Sequence, residues 1–170
     1  MLIILDAKLF DHRHVYFGDK QKNNIVEYCY FTPIYYSTDS CTTNNLLFDF
    51  PVDVTFIEKQ SNITYLKYNF DIHSEYNKTI ISLLSSIEHK LLNKYNLFDN
   101  KNINYILSNH LRNGNIKVCT PYKEKDKNKN MDKHHNTIVQ NKYQLYIRIS
   151  GVWENSKNEI GLIYKFIINP

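Results

Sequence analysis

Apolar and polar residues alternate along much of this chain, most cleanly at 143–150 and 160–168. In the first run Tyr143, Leu145, Ile147 and Ile149 share one strand face, and Gln144, Tyr146, Arg148 and Ser150 share the other. In the second, Ile160, Leu162, Tyr164, Phe166 and Ile168 lie opposite Ile163, Lys165 and Ile167. A short turn rich in Glu, Asn, Ser and Lys separates the runs, which predicts a β-hairpin with one buried face. Even positions from Leu46 to Phe56 are apolar, with Asp49, Asp53 and Thr55 opposite, so 46–56 reads as a strand. Pro51 places an edge or a bulge within it. The run 63–72 alternates again, with Leu66, Tyr68, Phe70 and Ile72 inward and Tyr65, Lys67 and Asn69 outward. A β-branched and aromatic segment at 25–36 closes near Pro33 and carries Tyr28 and Tyr30 on one face. Ile116-Lys-Val-Cys119 adds a strand ended by Pro121.

Between these strands the period changes from two to between three and four. Ser74 is placed to cap a helix whose apolar stripe is Ile80, Leu84, Ile87, Leu91 and Tyr95. That stripe packs on the sheet or, alternatively, forms a homodimer surface. A second, shorter helix starts at Asp99 or Asn102, runs through Ile103, Ile106, Leu107 and Leu111, and stops at Asn113-Gly114. The segment 122–136 is polar, with five lysines and three acids between Lys123 and Lys133, and reads as a flexible Lys-rich loop. It is a plain linker or a polycation arm that closes over nucleic acid. The order of strands, helices and strands lacks βαβ alternation. It predicts a single mainly β domain over 1–170 with a helical insertion at 73–114, built as an OB-like antiparallel barrel with one long and one short helix packed against it.

Composition restrains the functional reading. The chain holds 20 Ile, 22 Asn, 18 Lys and 14 Tyr in 170 residues, against a single alanine. All four residues have AT-rich codons, so abundant lysine or tyrosine is not by itself evidence of nucleic-acid binding. A net charge of +4 is compatible with a polyanion partner, yet only Arg13, Arg112 and Arg148 are arginines. Cys29, Cys41 and Cys119 are widely spaced, which argues against a disulfide framework or a zinc site. No apolar run approaches the ~20 residues that span a bilayer. The reading is an intracellular, reduced protein with no membrane partner.

Enzyme chemistry finds little to stand on. The four glycines form no phosphate-binding loop, and the serines and cysteines sit in no nucleophile context. His12-x-His14 and His134-His135 lack further metal ligands at a recognised spacing. No enzyme activity, cofactor or metal is expected. The outward Tyr146, Arg148 and Lys165, with Tyr65, Lys67, Tyr28 and Tyr30, offer instead π-surfaces beside cations. That combination suits single-stranded nucleic acid.

Two segments resemble the single-stranded DNA-binding proteins of short-tailed phages, which have counterparts in nucleocytoplasmic large DNA viruses. Thr64-Tyr-Leu-Lys-Tyr-Asn-Phe-Asp-Ile-His-Ser74, running into a helix at 75–94, resembles the family's strand that turns into its long helix. Leu145-Tyr-Ile-Arg-Ile-Ser-Gly-Val-Trp-Glu-Asn, followed by Ile160-Gly-Leu-Ile-Tyr-Lys-Phe-Ile, is similar to its closing hairpin, where a Trp ends one strand and a Gly opens the next. The resemblance implies an OB fold and a protein that coats single-stranded DNA, or RNA, during replication or recombination. It implies location in the host cytoplasm, at a virus factory, or in the virion, with replication or virion proteins as partners. The family usually ends in an acidic tail that recruits replication partners, a pattern not seen at Ile167-Ile-Asn-Pro170. The rival expectation is a non-enzymatic structural virion protein, a minor capsid or core component acting through protein contacts. Trp153, at a strand end after Gly151, is expected to cap the barrel.

Overall fold

A computed structural model describes residues 3–23, 29–59, 65–119 and 144–168. The expected Lys-rich loop at 122–136 and Tyr28 lie outside these residues. The strands are β1 (Val15–Phe17), β2 (Gln21–Lys22), β3 (Tyr30–Ser37), β4 (Thr42–Asn44), β5 (Leu46–Asp49), β6 (Val54–Lys59), β7 (Tyr65–Phe70), β8 (Asn102–Ile103), β9 (Asn115–Cys119), β10 (Leu145–Glu154) and β11 (Glu159–Ile168). The helices are α1 (Glu75–Tyr95) and α2 (Ile106–Leu111), with a 3-10 turn at His12–His14. Among the described residues the protein is therefore mainly β with two helices. Its sheet follows the path β1-β3-β10-β11-β9-β7-β6, with β2 and β4 attached to β3, β5 to β10 and β8 to β11. Among the described residues that path has two unpaired ends and is not closed into a barrel.

β10 is the hub. It pairs with β11 along its length, forming the expected hairpin, while its other edge is divided between two strands. Residues Tyr146 to Ile149 pair with β5, and Gly151 to Glu154 pair with β3. The register shifts between Ile149 and Gly151, a bulge that bends the strand where its partner changes. β3 changes partners in the same way. Its first half pairs with β2 and β10, its second with β1 and β4, and Pro33 sits at the handover. The strand continues to Ser37 rather than closing at Pro33, because a proline without an N–H is tolerated where pairing is interrupted.

Two other expectations are corrected. The predicted strand at 46–56 divides into β5 and β6, with the break around Pro51. The second helix begins at Ile106, and Asn102–Ile103 pairs parallel with β11 instead. Backbone bonds from Asn102 N to Asn158 O (2.9 Å) and from Asn104 N to Ile160 O (2.8 Å) draw that segment into the sheet.

The core lies between one sheet face and the helices. Leu84, Ile87, Leu91 and Leu92 of α1 pack with Leu107 and Leu111 of α2 against Phe48, Phe50, Tyr68, Val118, Ile147, Ile149, Leu162 and Phe166. Each fully buried aliphatic side chain contributes about 1.5–3 kcal/mol relative to exposure. The inward Tyr68 and Phe70 follow the alternation read from the sequence, as do Ile147, Ile149, Leu162 and Phe166.

Polar groups in the interior join elements together. Glu88 of α1, fully buried, accepts from the Leu107 N–H (2.9 Å), the Ser108 N–H (2.7 Å) and the Ser108 hydroxyl (2.5 Å), satisfying orphan donors in the first turn of α2. Lys94 donates to the carbonyls of His12 (3.0 Å), Arg13 (3.2 Å) and Val15 (2.8 Å), tying the 3-10 turn to α1. Asn77, also fully buried, bonds the backbone of Asp53 and Asp71 and anchors the start of α1. Ser74 occupies the N-cap position but its side chain makes no capping bond.

Glu154, at the end of β10, is 5% exposed. It accepts from Lys20 Nζ (2.7 Å), Lys101 Nζ (2.8 Å) and the Tyr95 hydroxyl, which also meets Thr32 Oγ1 at 2.8 Å. Burial alone would raise the Glu154 carboxyl, but hydrogen bonds from Lys101, Lys20 and Tyr95 outweigh it and hold the group at about 2. Burial and the Glu154 contact push the Tyr95 hydroxyl up to about 12.

Candidate nucleic-acid interface

Residues opposite each other in adjacent strands project to the same side of a sheet. Arg148 of β10 stands opposite Lys165 of β11. The parallel pairing of Phe166 with Val118 sets Lys165 beside Lys117 of β9, and Lys117 stands opposite Lys67 of β7. Four basic residues from four neighbouring strands thus form one row across the sheet. At a strand spacing of about 4.8 Å, the row spans about 15 Å. It lies on the face away from the helices, since the alternating neighbours Phe166, Val118 and Ile147 are in the core. Lys165 and Lys117 are exposed, and Arg148 and Lys67 half-buried.

Like charges directly opposite one another destabilise a sheet. Among the described residues, no acid forms an ion pair with Arg148, Lys165 or Lys117. At the far end, Glu58 of β6 stands opposite Lys67. Arg148, Lys165 and Lys117, without an acidic partner among the described residues, are electrostatically unfavourable alone at strand spacing and favourable with an anion laid along them.

The sequence picked out Arg148, Lys165 and Lys67 but not Lys117. The signal was present in Ile116-Lys-Val, where the lysine sits between residues that are fully buried. What the sequence lacked was the β9–β11 parallel pairing, which joins strands separated by the whole of β10.

The tyrosines fare differently. Tyr146 shares the strand face of Arg148 but is 4% exposed, so the expected solvent-facing ring is covered. The physical reason is position. This half of β10 lies between β5 and β11, and Leu145, Tyr146 and Ile147 are buried in succession, as are Leu46, Leu47 and Phe48 of β5. Where a stretch of strand is covered on both faces, as at 145–147, alternation no longer tells inside from outside. Opposite Tyr146 stands Asp49, whose Oδ1 is buried without a hydrogen-bond partner among the described residues and whose carboxyl burial pushes up. Tyr65 lies in β7 opposite Cys119, one row from the basic line. Tyr30 is exposed, on β3, and holds Lys20 Nζ 4.4 Å from its ring centroid. It belongs to a different region from the basic row.

His12 and His14 fall in the 3-10 turn that precedes β1. Among the described residues, no group of three or more His, Cys, Asp or Glu side chains is placed to hold a metal ion. Among the same residues, no helix is long and apolar enough to cross a membrane. No protein-family model matches the chain, and no match is found among curated proteins or solved structures.

Proposed function

We propose that this protein binds single-stranded nucleic acid, DNA in the first instance, with the phosphate backbone running along Arg148, Lys165, Lys117 and Lys67. The observation that carries the reading is the cross-sheet row of cations on the solvent face. Arginine and lysine contribute charge here without a geometry that would read base edges, so binding is without sequence preference. Four phosphate contacts to a single strand give a slope of log K against log salt of about −3. The OB-like barrel belongs to this proposal in a reduced form, as a sheet whose hub strand carries a bulge and whose closure is not needed for the binding row. A viral protein of replication or recombination, working in the host cytoplasm or virion without a cofactor, is the setting that the hairpin and strand-helix resemblance supports.

A second reading, a structural virion component, draws on Leu97 and Phe98. They are 67% and 90% exposed in the turn after α1 and could seat a protein partner. One titration separates the readings. A labelled oligo-dT should bind with the stated salt slope, and Lys117→Ala should lower that slope by about 0.7. Absence of binding to the single strand at low salt would reject the first reading.

A further inference from the structure

The solvent face that carries the basic row continues past it as an aromatic surface. Along β3, Thr32, Ile34 and Tyr36 are buried, while Phe31, Pro33 and Tyr35 alternate with them on the half-exposed side. Trp153 of β10 stands opposite Phe31 on one strand and opposite Gly161 of β11 on the other. A Cβ at Gly161 would lie 2.7 Å from Trp153 ring atoms, so the indole rests directly on the glycine backbone. Phe31 rests in the same way on Gly151, and Tyr35 crosses Gly18, where a Cβ would meet its ring at 2.8 Å. Three of the chain's four glycines thus serve as seats for three rings. Glycine leaves room for a ring to lie against the sheet rather than stand up from it.

The rings are not absorbed by packing against one another. Among the described residues, neither Trp153 nor Phe31 has an aromatic neighbour in stacking or edge-on contact. Gly161, Ile163 and Lys165 follow one another on the same face of β11, so the indole seat is about 13 Å along the strand from the basic row. A half-exposed face of seated rings, continuous with the cations Arg148, Lys165 and Lys117, matches a ligand with flat apolar groups attached to a polyanionic backbone.

We propose that Trp153, Phe31 and Tyr35 form the base-stacking platform of the interface, with Trp153 at its centre. The proposal rests on the nucleic-acid reading and assigns the stacking role to residues other than Tyr146. Trp153 is a binding residue here, not solely a cap on the sheet.

The chain has one tryptophan, so its own fluorescence reports this site. The experiment titrates wild-type protein with oligo-dT at low salt, reading tryptophan emission and the anisotropy of a labelled strand in parallel. A second arm uses an abasic oligonucleotide of equal length, which keeps the phosphates and lacks the bases. Quenching should saturate together with anisotropy. The abasic strand should bind at least about tenfold more weakly, with an unchanged salt slope and no quenching. Tyr35→Ala should lose about tenfold in affinity, again at constant slope, whereas Lys117→Ala changes the slope. Binding of both strands with equal affinity and unaltered emission would overturn the platform while leaving the binding function intact. No anisotropy change with either strand would overturn both.

Discussion

Glu154 is the test case for how this fold is held together, because one carboxylate joins three separate parts of the chain. Lys20 precedes β2, Tyr95 ends α1, and Lys101 lies in the connection to β8. Replacing Glu154 by Gln keeps the shape and removes the charge. Lys101, whose side chain is 13% exposed, then lacks its interior counter-ion and retains Asp99 at 2.6 Å. Holding the carboxyl at about 2 against an ordinary 4.5 corresponds to about 3 kcal/mol of stabilisation by the charged form. The folded-state value is depressed, so this contribution is complete above about pH 4.5 and is lost as pH falls toward 2. Urea unfolding of wild type and Glu154→Gln at a series of pH values checks both magnitude and direction. The difference should be about 3 kcal/mol at pH 7 and shrink toward zero near pH 2. A difference below about 1 kcal/mol at pH 7 would place the group among surface pairs of little consequence. A difference independent of pH would show that packing, not charge, accounts for the loss.

Other outcomes follow from the same geometry. Glu88→Ala leaves the first-turn donors of α2 without an acceptor in the core and should cost about 2–4 kcal/mol in chemical denaturation. Loss of under about 0.5 kcal/mol would mean that water or another group replaces it. Gly161→Ala forces a methyl into the Trp153 ring and should shift tryptophan emission to longer wavelength, with a destabilisation of about 1–3 kcal/mol. Unchanged emission would mean that the ring does not rest on the glycine. Leu91→Ala, at a fully buried position where α1 meets the sheet, should cost about 2–5 kcal/mol in thermal or urea unfolding.

The parts of this fold legible in the sequence were those where one face is wet and the other dry. β7, β11 and the long helix show that condition, and Tyr68, Phe70, Leu162, Phe166 and Leu84 were placed inward by period alone. The strand at 46–56 read as continuous because its even positions stay apolar, yet the chain breaks around Pro51 and starts a new strand. At Tyr146 the alternation was real but the exposure inferred from it was not: the ring is covered, although Arg148, two residues on along the same face, is only half-buried. The basic row was legible in three of its members and incomplete without the parallel β9–β11 pairing, a long-range contact that no local pattern encodes. The aromatic strip was hidden for a similar reason. Gly161 and Gly151 carry no side-chain signal, and only register reveals which rings they seat.

The most direct test of the account is the anisotropy titration of labelled oligo-dT and a matched duplex at low and moderate salt. The row of Arg148, Lys165, Lys117 and Lys67 predicts single-strand binding with a slope of log K against log salt of about −3, and base stacking on exposed rings predicts preference over the duplex. Failure to bind, or equal weak binding to both forms, would contradict it and leave the sheet face as scaffold.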